Sequence, residues 1–82
     1  MSDEHGAAEE FTQAAANLTA ALENVCDLAK ALNKRILAEA DGQPVTQSEI
    51  EAGKQELDDA KEAYDDAYEH YLKAHEAAHL AA

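Results

Sequence analysis

The sequence predicts an all-α fold: an antiparallel, coiled-coil-like two-helix hairpin that dimerises into a four-helix bundle. Three observations lead there. The only proline and one of three glycines fall together in DGQPV, residues 41–45, between two long stretches dominated by Ala, Leu, Glu, Lys and Gln. Each stretch carries apolar residues at alternating three- and four-residue spacing. The two apolar rows match each other when the chain is folded back at DGQPV.

The first helix is expected over about residues 4–40. Ser2 is a candidate N-cap, and Asp3 and Glu4 suit the positive end of the helix dipole. Gly6 weakens this start, so residues 1–6 are expected to fray. The apolar row reads Phe11, Ala15, Leu18, Leu22, Val25, Ala29, Leu32 and Ile36. In the turn, residues 41–45, Gly42 can adopt the left-handed conformation that ends a helix, and Pro44 stops its continuation.

The second helix is expected over about residues 46–80. Thr46 and Glu49 form a T-x-x-E capping box, and Val45 and Ile50 a hydrophobic staple across the cap. Its row runs Ile50, Gly53, Leu57, Ala60, Tyr64, Ala67, Tyr71, Ala74 and Ala78. Folding at the turn sets Ile36 by Ile50, Leu32 by Gly53, Leu22 by Tyr64 and Phe11 by Ala74, in constant register. Several layers place a large side chain against a small one. At 1.5 Å per residue each helix spans roughly 50 Å.

The 82 residues are expected to form one domain, 1–82, whose core is thin enough to favour association. Eighteen Asp and Glu against six Lys and Arg give a formal charge of −12. Such a surface repels nucleic acid and anionic membranes and attracts a basic protein partner. Cys26 is the single cysteine, which excludes an intrachain disulfide and suits a reducing, cytoplasmic setting. No apolar run reaches membrane-span length, and the acidic MSDEHG start is unlike a signal peptide.

The outward faces differ. Residues 11–22 carry no charge, and a second row, Ala14, Asn17, Ala21, Asn24 and Leu28, suits close packing against another helix. That row is the expected homodimer interface. Tyr68, Leu72 and Leu80 lie off the second seam and either extend such an interface or cover the hairpin's own flank. On the second helix, Glu56, Asp58, Asp59, Glu62, Asp65, Asp66 and Glu69 fall within fourteen residues, opposed only by Lys61. Asp58, Glu62, Asp65 and Glu69 share a ridge on which like charges oppose helix formation. The ridge reads as a binding face for a basic groove, and its bland alternative is a solubilising surface.

HEAAH at residues 75–79 matches the His-Glu-x-x-His of zinc proteases and puts His75 and His79 on one helical face. A protease needs a third ligand, an open coordination site and a cleft. Only three residues follow His79, and a hairpin has no sheet edge to hold a peptide. The register brings His5 near position 81, so His5, His75 and His79 form the one place where zinc could bind. There is no Gly-rich phosphate loop and no nucleophile–base pair, and Cys26 beside Asp27 lacks an electropositive setting. No enzyme activity and no cofactor are expected.

The hairpin outline resembles the small secreted WxG-type helical dimers. DGQPV stands where they carry Trp-x-Gly, and no Tyr-x-x-x-Asp/Glu follows, so the resemblance is architectural and carries no residue across. In size and charge the chain is similar to phage-encoded inhibitors of host defence systems. The leading expectation is a non-catalytic acidic module that binds and masks a basic protein surface, one that can itself be a nucleic-acid-binding surface. The alternatives are a scaffold subunit docking through the uncharged face of the first helix, and a metal-binding protein using HEAAH.

Overall fold

A computed structural model describes the backbone of residues 2–81 and the side chains of residues 6–80. Two helices, α1 (Ser2–Ala40) and α2 (Gln47–Ala81), are joined by a short turn. They pack side by side as an antiparallel hairpin with Cα extents of 62 × 14 × 13 Å. The radius of gyration, 18.2 Å, exceeds the roughly 12 Å of a globule of this length.

Local chemistry accounts for the turn. Gly42 has φ of +81°, the left-handed conformation that suits glycine. The Gln43 amide donates to the Ala38 carbonyl at 2.9 Å and the Gly42 amide to Glu39 at 3.0 Å, the paired bonds of a Schellman ending. Pro44 then directs the chain away. At the start of α2 the Glu49 amide donates to the Thr46 hydroxyl at 3.2 Å, which is the forward half of the expected capping box. The return bond, from the Thr46 amide to the Glu49 carboxylate, does not form. At the other end α1 runs through Gly6 to Ser2, where the sequence reading expected fraying. The side chains of Ser2, Asp3 and Glu4, named for that end, lie outside the described residues.

The α2 seam is the one the spacing predicts: Ile50, Gly53, Ala60 and Ala74 are buried, with Leu57, Tyr64, Ala67, Tyr71 and Ala78 half-buried between them. The α1 seam is only half as predicted. Phe11, Leu18, Val25 and Leu32 face α2, but their companions are Ala14, Ala21, Leu28 and Arg35 rather than Leu22, Ala29 and Ile36; Ala15 is half-buried beside Ala14. Ala14 is 0% exposed, whereas Leu22 and Ile36 remain 48% and 43% exposed.

Close approach explains the choice. Small residues at Ala14, Gly53, Ala60 and Ala74 let the two backbones come together, and this packing leaves the larger Leu22 and Ile36 alongside the seam. Arg35 can occupy an inward position because Gly53 opposite has no side chain. Its guanidinium crosses Gly53 and donates from Nη1 to the Glu49 carbonyl at 3.0 Å. The Leu32–Gly53 layer itself is as expected, with Leu32 Cδ1 held over the glycine.

Candidate functional site

The acidic row lies wholly in solvent. Asp58, Asp59, Glu62, Asp65, Asp66 and Glu69 are all exposed, since each falls outside the Leu57–Ala60–Tyr64–Ala67 seam. Two local contacts temper the row. Gln55 donates to Asp59 at 2.9 Å, and Lys73 pairs with Glu69 at 3.6 Å, with side chains 74% and 69% exposed. At that exposure the pair contributes little, so the face remains strongly negative. Successive ridge carboxylates stand one helical turn apart, and Asp58 to Glu69 spans roughly 16 Å.

The proposed homodimer row is divided by the fold. Ala14 is buried inside the hairpin, and Ala21 and Leu28 are half-buried in the same seam, so these three pack against α2 of their own chain. The reason is the seam choice described above: Ala14, Ala21 and Leu28, expected to face outward, form the inward companion row. Asn17 and Asn24 are exposed, and Asn17 accepts a bond from Gln13 at 3.0 Å along its own helix.

A different flank carries the exposed apolar side chains. Its large members are Leu22 (48%), Ile36 (43%), Tyr68 (45%) and Leu72 (48%), while Leu37 and Leu80 are more exposed still. Aromatic rings line this flank along α2. Tyr64 and Tyr68 lie 6.2 Å apart between centroids, Tyr68 and Tyr71 6.4 Å, and Tyr71 and His75 6.3 Å. Phe11 reaches across from α1 to both Tyr71 at 5.4 Å and His75 at 5.3 Å. These rings close the open end of the hairpin, where no turn joins the helices.

HEAAH is helical throughout, as expected. His75 packs its ring on Phe11, and the His75 and His79 rings lie parallel, 6.4 Å apart with 4° between planes. Among the described residues, no group of three or more His, Cys, Asp or Glu is placed to hold a metal ion. The side chain of His5, the third ligand named from the sequence, lies outside the described residues. Cys26 is exposed on α1. No helix among the described residues is long and apolar enough to cross a membrane.

Sequence reasoning missed Arg35 as an inward residue and placed Leu22 and Ile36 in the seam, while Tyr68 and Leu72 lie off the seam as expected. The signal was present: Leu22 and Ile36 fit the apolar spacing as well as Ala21 and Arg35 do, and the bulkier pair is the one a close-packed seam leaves outside. No protein-family model, curated protein or solved structure matches this chain.

Proposed function

We propose that this hairpin is a non-catalytic acidic interaction module, dimeric as a four-helix bundle, that binds and masks a basic protein surface in a reducing compartment such as the cytoplasm. The observation that carries the reading is the exposed carboxylate row from Asp58 to Glu69. It is retained on a helix that its own repulsion destabilises by a few tenths of a kcal/mol per like-charged pair. A rigid helix presents these charges at fixed one-turn intervals, which suits a groove lined with Lys and Arg, including one that otherwise holds nucleic acid. The reading calls for no cofactor and assigns no chemistry to HEAAH.

The test reverses Asp59, Glu62 and Asp66 to Lys together. These positions lie away from the seam, so circular dichroism stays helical. Wild-type protein should capture a basic protein from an extract of its source cells at low ionic strength, lose it as salt rises, and be displaced by duplex DNA. The triple variant should capture none of it. Equal capture by variant and parent refutes the masking role and leaves the row as a solubilising face.

A further inference from the structure

The flank that holds Leu22 and Ile36, uncharged along α1 and mixed in charge along α2, has a pattern that suits one occupant, a second copy of this chain. Phe11, Leu18, Val25 and Leu32 occupy heptad position a, and Ala14, Ala21 and Leu28 position d. Position e of α1 therefore holds Ala15, Leu22, Ala29 and Ile36. Outside it, position b holds Thr12, Thr19, Cys26 and Asn33, and no charge interrupts either row. In an antiparallel pair e lies beside e, so the same flank of α2 carries Lys54, Lys61, Tyr68 and His75. The Phe11–His75 contact at 5.3 Å agrees with that placement.

Surface area shows that the elongated hairpin as a whole leaves enough area uncovered for such a partner. The chain exposes 6015 Å². A compact protein of 8.8 kDa exposes about 4,800 Å², so the hairpin carries roughly 1,200 Å² in excess. A standard protein interface buries about 800 Å² on each partner, which is the scale of that excess.

We propose that two hairpins pack by this flank, helix against like helix and antiparallel, about a two-fold axis at the height of Leu22 on α1 and Ala63 on α2. The rotation sets Leu22 against its own copy, Ala15 against Ala29, and Ile36 against Ala8. Away from the axis, Ile36 thus meets a small residue, and Ala15 and Ala29 let the two backbones approach closely. On α2 the same axis brings Lys61 opposite Asp65, Glu51 opposite His75, and Asp58 opposite the Tyr68 hydroxyl. One axis serves both helices because Leu22 and Ala63 share a level in the register that Leu32 over Gly53 defines. A self-complementary patch of this kind is what a closed two-fold dimer requires.

This inference rests on the dimeric part of the proposed function and is independent of the masking of a basic partner. It also divides the acidic row: Asp58 and Asp65 turn toward the second copy, while Asp59, Glu62, Asp66 and Glu69 remain outward.

Sedimentation of the full chain should give twice the 8.8 kDa chain mass. Leu22→Glu places two carboxylates on the axis and should return a folded monomer. Lys61→Glu should weaken association by about tenfold, and Lys61→Glu with Asp65→Lys should recover it to within about twofold. Leu22→Cys in a Cys26→Ser background should form a disulfide-linked dimer under mild oxidation, and Asn24→Cys in that background should not. Wild-type protein should stay unlinked, because Cys26 of one copy is displaced from Cys26 of the other by roughly 12 Å along the helix. A dimer that survives Leu22→Glu and cross-links at Asn24 leaves the dimeric reading standing and overturns this face. A monomer at every concentration overturns both.

Discussion

Gly53 offers the sharpest test of how the two helices are fitted together. A methyl group at this position would lie 2.9 Å from Arg35 Nη1 and 3.1 Å from Leu32 Cδ1. The first distance forces the guanidinium aside, and the second requires Leu32 to yield by a few tenths of an ångström. Replacing an interior helical Gly by Ala contributes about 1 kcal/mol of stability. Displacing Arg35 removes its bond to the Glu49 carbonyl, worth about 0.5–1.5 kcal/mol net at an exposed position. The two terms nearly cancel, so Gly53→Ala in the parent should change stability by less than about 0.5 kcal/mol. In an Arg35→Ala background nothing opposes the methyl except Leu32, and the same substitution should stabilise by about 1 kcal/mol. The assay is a double-mutant cycle from thermal or urea melts at one fixed protein concentration, which keeps association constant across the four proteins. For a chain of this size about 1 kcal/mol corresponds to a shift of roughly 4–8 °C in Tm. If Gly53→Ala stabilises both backgrounds equally, Arg35 does not lie over Gly53 and the inward assignment of Arg35 is wrong.

Further outcomes follow from individual contacts. Leu32→Ala removes one of the largest buried side chains and should cost about 2–3 kcal/mol in urea melts, toward the low end for Leu→Ala because the core is thin. Gly42→Ala forces a methyl-bearing residue to φ of +81° and should destabilise by about 1 kcal/mol, although nothing lies within 4 Å of the added carbon. Thr46→Ala removes the hydroxyl that accepts from the Glu49 amide and should cost about 1 kcal/mol, and Thr46→Ser should recover most of it. Changing His75 and His79 together to Gln should leave capture of a basic partner intact; calorimetric detection of tight, stoichiometric zinc binding lost in that variant would make HEAAH a metal site.

Much of the architecture could be read from residue order because local chemistry dictates it. Gly42, Pro44 and Thr46 mark the turn by backbone conformation, ring constraint and capping, and none of these depends on distant contacts. The α2 seam was legible because charge flanks it on both sides, leaving one apolar row. On α1 the outer surface from residue 11 to 22 has no charge, so two apolar rows share Phe11, Leu18, Val25 and Leu32. Hydrophobicity favours the row with Leu22 and Ile36, but close approach favours the one with Ala14 and Ala21, and close approach decided it. Arg35 shows the same limit in one residue: its inward position depends on an absent side chain fifteen or more residues away, on Gly53. The exposed carboxylates were correctly placed outward, since α2 offers them no other position. Whatever fits against them is a property of another molecule and is not written in this chain's periodicity.

The turn also sets the order in which the hairpin can assemble. Contacts next to Gly42, such as Arg35 with Glu49, close a loop of about a dozen residues, and each later layer adds only a short increment to a loop already closed. Folding should therefore zip outward from the turn, with low contact order and fast kinetics. The free end has no such head start, and its last layers can open without disturbing the rest. Phe11, Tyr71 and His75 stand there, three rings in mutual contact where the chain provides no covalent tether. They act as a clasp: Phe11→Ala should leave amide-exchange protection near Leu32 and Ile50 intact while protection around Ala14 and Ala74 falls, so that one substitution unfastens one end of the rod.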